Sequence, residues 1–186
     1  MAFDASGHLW TAHKENTVSR YTVSGTAFTA SAVFSGGGLN GPSDIAIDHA
    51  GHVWVTNTTS SSLSEFDASG SALSPAGGFT GGGLNAPLGI AIDGDGFVWV
   101  SNQFGSTLSK FDGNGNALSP SGGYALDYGN GQIASFTDPP YSPTFRTGGY
   151  ALSIDGAGTI WAGPNAVYGA AAPTVAPLSL AVQNNT

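Results

Sequence analysis

Cysteine is absent and charge is scarce in this chain, and these shortages exclude several classes of protein. The 186 residues include no Cys, one Met and only 9% charged residues, where an average domain has about a quarter. Without Cys there is no disulfide, no thiolate nucleophile and no Cys-ligated metal. Because Lys and Arg, which usually cover exposed helix surfaces, number only four, a helical bundle is excluded.

The charge balance argues against two kinds of partner. Four Lys plus Arg against 12 Asp plus Glu give a net charge of -8, so no basic patch can neutralise several phosphates of a nucleic acid or an anionic membrane. No apolar run approaches the about 18 residues of a membrane-spanning helix. The first residues lack a basic stretch followed by an apolar one, so we expect no signal peptide in this chain.

Glycine and apolar residues are abundant instead. The chain has 29 Gly, 40% hydrophobic residues and 11% aromatic residues, which is too much apolar material for a disordered protein. Its length suits a single domain with a buried core. The composition therefore predicts an all-β globular protein.

An Asp-x-x-Gly-x-x-Trp motif recurs four times and contains every Trp of the chain. The Trp residues lie 44, 45 and 62 residues apart, so the third unit carries about 17 residues beyond a period that is typical of propeller blades. The four copies run from Asp4 to Trp10, from Asp48 to Trp54, from Asp93 to Trp99 and from Asp155 to Trp161.

Each unit predicts four short strands separated by turns, with the Asp-x-x-Gly segments as structural turns. Units of about 45 residues that cannot bury both faces alone must stack on their neighbours, and the radial solution is a β-propeller. We expect an all-β propeller domain or arc of four-stranded antiparallel blades, with the first and last blades incomplete. The predicted units span residues 1–42, 43–87, 88–149 and 150–186.

The segment from Gly89 to Asn102, Gly-Ile-Ala-Ile-Asp-Gly-Asp-Gly-Phe-Val-Trp-Val-Ser-Asn, resembles the NHL-type repeats of streptogramin (virginiamycin B) lyase-like propellers. The ending from Gly169 to Leu178 resembles the tails of bacterial proteins of this kind. The resemblance implies a secreted or periplasmic protein and rings of about six blades. Enzymes of the family open a lactone with His, Glu and Mg²⁺, but their residue spacing is not reproduced here.

Four units are fewer than such a ring needs. Met1 stands inside the first inner strand, where Ile45 stands in the second unit, and only seven residues separate Trp161 from Tyr168, where the second unit has 12. Two arcs could pair as a homodimer, through edge strands or residues 174–182, or four blades could close alone. We favour the homodimer, because no segment is left over to complete the first blade.

The position three residues after each Trp begins a loop on the face around the predicted channel. It holds His13, Asn57, Asn102 and, in the last unit, Pro164. Side-chain amides there can bind a polar small molecule or help to hold Ca²⁺ or Mg²⁺. We therefore predict Asn57 and Asn102 as ligand-binding residues and, with Asp44, as metal ligands. The alternative is that Asn at a strand end satisfies its own loop backbone.

Departures from the repeat give the candidate catalytic residues. His13, followed by Lys14 and Glu15, stands where two other units have Asn, and Asp44 stands where they have Gly89 and Ala151. Were His13, Glu15 and Asp44 close together, they would offer an imidazole base and carboxylate metal ligands. The alternative is a solvated blade edge. The other histidines, His8, His49 and His52, are predicted to be structural or exposed.

An insertion at about 125–146 is rich in aromatic residues and Pro. Its Tyr141 and Arg146 suit a planar or anionic ligand, so the insertion could form a lid over the channel face. It could equally cover a blade edge or form the dimer contact.

These features predict an exported bacterial propeller that serves as a binding or scaffold module and completes its ring by self-association. The alternative is a divalent-metal-dependent lyase or hydrolase that acts on a lactone or ester-like small molecule at the channel face. The sequence leaves open whether the chain is an enzyme.

Overall fold

The computed structural model describes residues 1–105, 107–125, 150–156, 158–164 and 179–180, with only the backbone for 150, 151, 161–164, 179 and 180. Every regular element among them is a β-strand. A search of these residues finds no helix that could cross a membrane. The predicted all-β fold is confirmed.

The strands of the described residues form four antiparallel sheets. The first two sheets are β1 (Ala2–Phe3), β2 (Leu9–His13), β3 (Thr17–Ser24) and β4 (Ala27–Phe34), then β5 (Pro42–Ile47), β6 (Val53–Asn57) and β7 (Ser62–Phe66). The last two are β8 (Pro87–Ile92), β9 (Val98–Asn102), β10 (Thr107–Phe111) and β11 (Tyr124–Ala125), then β12 (Tyr150–Ile154), β13 (Ile160–Pro164) and β14 (Ser179–Leu180). We call these sheets blades 1 to 4.

Two blades depart from the regular four strands. In blade 2 the fourth-strand position holds only isolated bridges, from Leu63 to Phe79 and from Phe66 to Ala72. In blade 4, β14 pairs with β13. Residues 179 and 180 lie within segment 174–182, whose pairing across chains stays a prediction, and they form the third strand of blade 4.

One carboxylate explains each Asp-x-x-Gly-x-x-Trp motif in blades 1 to 3. Asp48 Oδ1 accepts backbone N–H bonds from Ala50 and His52, and Asp48 Oδ2 accepts the indole N–H of Trp54 at 3.1 Å. Gly51, at φ 85°, closes the turn in a conformation that residues with a Cβ rarely adopt. The turns are structural, as predicted, and they also anchor the Trp side chains.

The core consists of three apolar clusters between consecutive blades. Trp10 packs with Val53 and Val55 of blade 2, and Trp54 packs with Val98 and Val100 of blade 3. Trp99 packs in the same way with Ile160 of blade 4. These three Trp side chains therefore face the following blade, and contacts of the inner strands run in the order β1, β5, β8, β12.

Candidate functional site

The two predicted amide ligands lie in the interior of their blades. The Asn57 side chain is fully buried; its Oδ1 accepts the backbone N–H of Asn40 at 3.1 Å, and its Nδ2 donates to Ser64 Oγ at 2.9 Å. Asn102 makes the equivalent bonds: its Oδ1 accepts the backbone N–H of Asn85 at 2.9 Å, and its Nδ2 donates to Ser109 Oγ at 2.9 Å. Both amides thus hold the segment that connects one blade to the next, and their role toward a ligand or metal stays a prediction.

The three candidate catalytic residues are not joined by any hydrogen bond or ion pair among the described residues. His13 Nε2 lies 2.9 Å from Thr11 Oγ1, and Glu15 is exposed. Asp44 is half-buried on the inner strand of blade 2, and its Oδ2 accepts the backbone N–H of Ile90 on the next inner strand at 3.2 Å. The catalytic and metal-binding roles of these residues stay predictions.

Most of the predicted insertion, including Tyr141 and Arg146, lies outside the described residues. Its assignment to ligand binding therefore stays a prediction.

A different set of chemically capable side chains meets at the turn end of blade 2. Asp48 follows β5, His52 precedes β6, and Glu65 lies on β7, where it pairs with Trp54. His52 Nδ1 lies 2.9 Å from Glu65 Oε1 and 3.5 Å from Asp48 Oδ2. The three potential ligand atoms lie within 4.8 Å of one another, and no other group of three His, Asp or Glu residues in the described part of the chain does so.

Burial sets the electrostatics of this cluster. The side chains of Glu65 and Asp48 are 5% and 11% exposed, whereas His52 is 34% exposed. Desolvation raises the pKa of Glu65; the attraction of His52 opposes this shift, and the repulsion of Asp48 adds to it. A buried carboxylate beside a second carboxylate favours a cation between them. The cluster can therefore hold a metal ion.

The same positions in the neighbouring blades hold different chemistry. In blade 1, Asp4 and His8 stand where blade 2 has Asp48 and His52, and His8 Nδ1 lies 3.1 Å from Asp4 Oδ2. The position of Glu65, opposite the Trp, is held by Arg20. In blade 3 the second and third positions are Phe97 and Lys110. The three-ligand set therefore occurs in blade 2 and in neither blade 1 nor blade 3.

Sequence reasoning missed this cluster, because His52 shares a repeat position with His8 and was predicted to be structural or exposed. The signal was Glu65, an acid where the repeat has Arg20 and Lys110. Glu65, opposite Trp54, departs from the repeat in the same way as His13 and Asp44.

Comparison with known proteins identifies the fold. No family model and no curated protein matches the chain. A streptogramin B lyase structure matches with a TM-score of 0.56 and 15% identity, over 87% of this chain and 46% of the other. An inactive variant of virginiamycin B lyase from Staphylococcus aureus, with quinupristin, matches with a TM-score of 0.53 and 16% identity, over 87% of this chain and 46% of the other.

A structural genomics target provisionally named a gluconolactonase gives a TM-score of 0.53 and 20% identity, over 86% of this chain and 55% of the other. The chain thus spans about half the length of these structures. At such identities the likeness concerns the fold, and at that level the resemblance to streptogramin lyase-like propellers is confirmed.

Proposed function

We propose that the chain is a propeller arc that acts as a binding or scaffold module and completes its ring with a second copy of itself. The observation that carries this proposal is an exposed apolar surface on blade 1. This outer face of blade 1 consists of Phe3, Leu9, Tyr21, Phe28 and Val33, which the strand register places on the side away from blade 2.

The repeat supports an interface at this face. Leu9 and Tyr21 occupy the positions of Val53 and Phe66, which are fully buried against blade 1. On blade 1 itself, Phe3, Phe28 and Val33 are 59%, 55% and 62% exposed. Contiguous exposed apolar side chains usually mark an interaction site.

A second copy supplies a matching surface. Trp10, Trp54 and Trp99 each pack on the blade that follows, and the repeat continues with Trp161 in β13. By the same rule, we expect a further blade to pack on the side of blade 4 that lies away from blade 3. If blade 4 of each arc packs on blade 1 of the other arc, the two arcs close a ring about a two-fold axis. The number of blades in that ring lies inside the usual range of about four to eight.

The test is the mass of the protein in solution, measured by light scattering across a concentration series. We expect twice the chain mass of 18.6 kDa. The double variant Phe28→Ser, Val33→Ser should give the single-chain mass with an unchanged far-ultraviolet circular dichroism spectrum. The matched control is Leu73→Ser, Leu118→Ser, which changes side chains that are 46% and 44% exposed on blades 2 and 3. It should leave the dimer intact.

A wild-type chain that stays at 18.6 kDa at every concentration would contradict the proposal. That result would favour a self-closed four-blade ring.

A second candidate function is a divalent-metal-dependent lyase or hydrolase that acts on a lactone or ester-like molecule at the channel face. It is favoured by the fold likeness to structures named as a streptogramin B lyase and a gluconolactonase. Lactone opening that needs Mg²⁺ or Ca²⁺, is abolished by a chelator and falls with His13→Ala and Asp44→Asn would support it. Activity that is equal in both variants and the wild type would exclude these residues. Export and a small-molecule ligand remain proposals alongside both functions.

A further inference from the structure

We propose that Asp48, His52 and Glu65 form a binding site for a transition-metal ion of the zinc class at the turn end of blade 2. The site lies at the opposite end of β6 from Asn57 and is independent of the ring-closing proposal. Its ligands would be one imidazole nitrogen and two carboxylate oxygens.

The neighbouring blades show that this position accommodates a cation. The Lys110 ammonium lies 3.9 Å from the centroid of the Phe97 ring and 4.7 Å from that of Trp99. In blade 1 the guanidinium of Arg20 lies 5.6 Å from the Trp10 centroid. Aromatic faces attract cations in this way.

Blade 2 has the same position but lacks its cationic side chain. Glu65 replaces the Lys or Arg opposite the Trp, and His52 replaces Phe97. Compared with blades 1 and 3, the position opposite the Trp therefore carries an anion in place of a cationic side chain. The carboxylate of Asp48 borders the same position. A bound metal ion would restore the cation that blades 1 and 3 carry on their own side chains.

The donor set selects the class of metal. An imidazole with two carboxylates suits Zn²⁺ and similar ions, whereas Mg²⁺ and Ca²⁺ prefer oxygen ligands alone. The separations of 2.9 and 3.5 Å from His52 Nδ1 are close to the about 3.3 Å between ligand atoms of a tetrahedral zinc site. An imidazole nitrogen that ligates a metal carries no proton, and a water would supply the fourth ligand.

The surrounding hydrogen bonds hold Asp48 in place for this role. Its Oδ1 is fixed by two backbone N–H groups, and its Oδ2 accepts the Trp54 indole N–H while keeping a lone pair free. Such outer partners orient the ligands of metal sites. The site is therefore preorganised on one face of a hairpin.

The test is calorimetric titration of the full chain with ZnCl₂ at neutral pH, with Co²⁺ absorption as a second readout of coordination. We expect one saturable ion per chain and a tetrahedral Co²⁺ spectrum. Glu65→Gln should weaken Zn²⁺ binding by about 100-fold or more, because loss of an outer partner alone costs about 10–100-fold. His8→Gln, which alters the equivalent position of blade 1, should leave the affinity unchanged.

A second variant guards against misfolding. His52→Phe, Glu65→Lys copies the Phe97 and Lys110 pair of blade 3, so it should fold with a wild-type circular dichroism spectrum and yet bind no Zn²⁺. The proposal is overturned if the wild-type chain shows no saturable binding, or if either the Glu65→Gln variant or this double variant binds Zn²⁺ with the wild-type affinity.

Discussion

Single carboxylates connect the turns of this propeller to its core. Asp93 Oδ2 accepts the indole N–H of Trp99 at 2.8 Å, and Asp93 Oδ1 accepts the backbone N–H groups of Asp95 and Phe97. Trp99 is only 4% exposed, so water cannot readily replace the carboxylate. The Asp and the Trp of the motif are thus one structural unit, which explains why they recur together.

Asp93→Ala should therefore destabilise the fold strongly. It leaves a buried indole N–H without an acceptor and removes two turn bonds, so we expect the free energy of unfolding to fall by about 2–3 kcal/mol. Urea denaturation measures this loss. Asp93→Asn keeps an acceptor oxygen, so its free energy of unfolding should fall by less. Asp95→Ala changes an exposed neighbour and should alter the free energy of unfolding by about 0.5 kcal/mol or less. Equal losses at Asp93 and Asp95 would contradict this role.

Asp112 couples stability to pH. The side-chain hydrogen bond from Asn116 is the main cause that lowers the pKa of Asp112, although burial opposes it. Because the folded-state pKa is depressed, the unfolded chain binds the proton first on acidification. This contribution to stability is present above the ordinary carboxyl pKa of about 3.9 and is lost as the pH falls through the folded value.

We therefore expect Asp112→Asn to be less stable than the wild type at pH 7, with the difference shrinking below about pH 4. Asn116→Ala keeps the carboxylate but removes its donor, so it should show the same convergence. Urea denaturation from pH 7 to pH 2.5 provides the measurement. Stability curves that stay parallel over this range would show that the pKa of Asp112 does not couple stability to pH.

At the scale of the element, the glycine runs between blades are packing surfaces. Gly83 has φ 79°, and a Cβ added there would lie 2.6 Å from Gly123 Cα in the following blade. Gly38 meets Gly78 in the same way one blade earlier. The connecting segments therefore lie directly on the backbone of the next blade.

Gly83→Ala should lower the free energy of unfolding by about 2–4 kcal/mol, because it combines a left-handed backbone with a clash against main-chain atoms that cannot rotate away. Gly122→Ala is the matched control, since a Cβ there meets nothing within 4 Å. Thermal and urea denaturation of both variants provide the comparison. If the two variants were equally stable, close packing would not be the reason for glycine at position 83.

The elements that could be predicted from sequence are those with local signals. The Asp-to-Trp motif spans seven residues and indicates the turn, the second strand and the blade period together. The partners of Asn57 and Asn102 could not be predicted, because each backbone donor lies 17 residues away and only the packing of a connecting segment brings it close. β14 was missed as a third strand because a long stretch of chain separates it from β13.

At the scale of the whole molecule, two of the few cations lie against Trp rings. Of the four Lys and Arg residues, Arg20 and Lys110 lie over Trp rings, so they do little to balance the acids at the surface. Each chain carries a net charge of -8. Two copies that form a ring therefore repel each other, while the outer face of blade 1 that would join them is apolar.

This opposition predicts how self-association responds to salt. Raising NaCl from about 0.05 to 0.5 M shortens the Debye length from about 14 to 4 Å, which screens the repulsion and leaves apolar burial little changed. The dimer dissociation constant, measured by sedimentation, should fall several-fold over this range. Phe28→Ser, Val33→Ser should remain monomeric throughout, because screening cannot replace the lost apolar surface. A dissociation constant that rises with salt would mean that opposite charges, rather than apolar blade faces, hold the two arcs together.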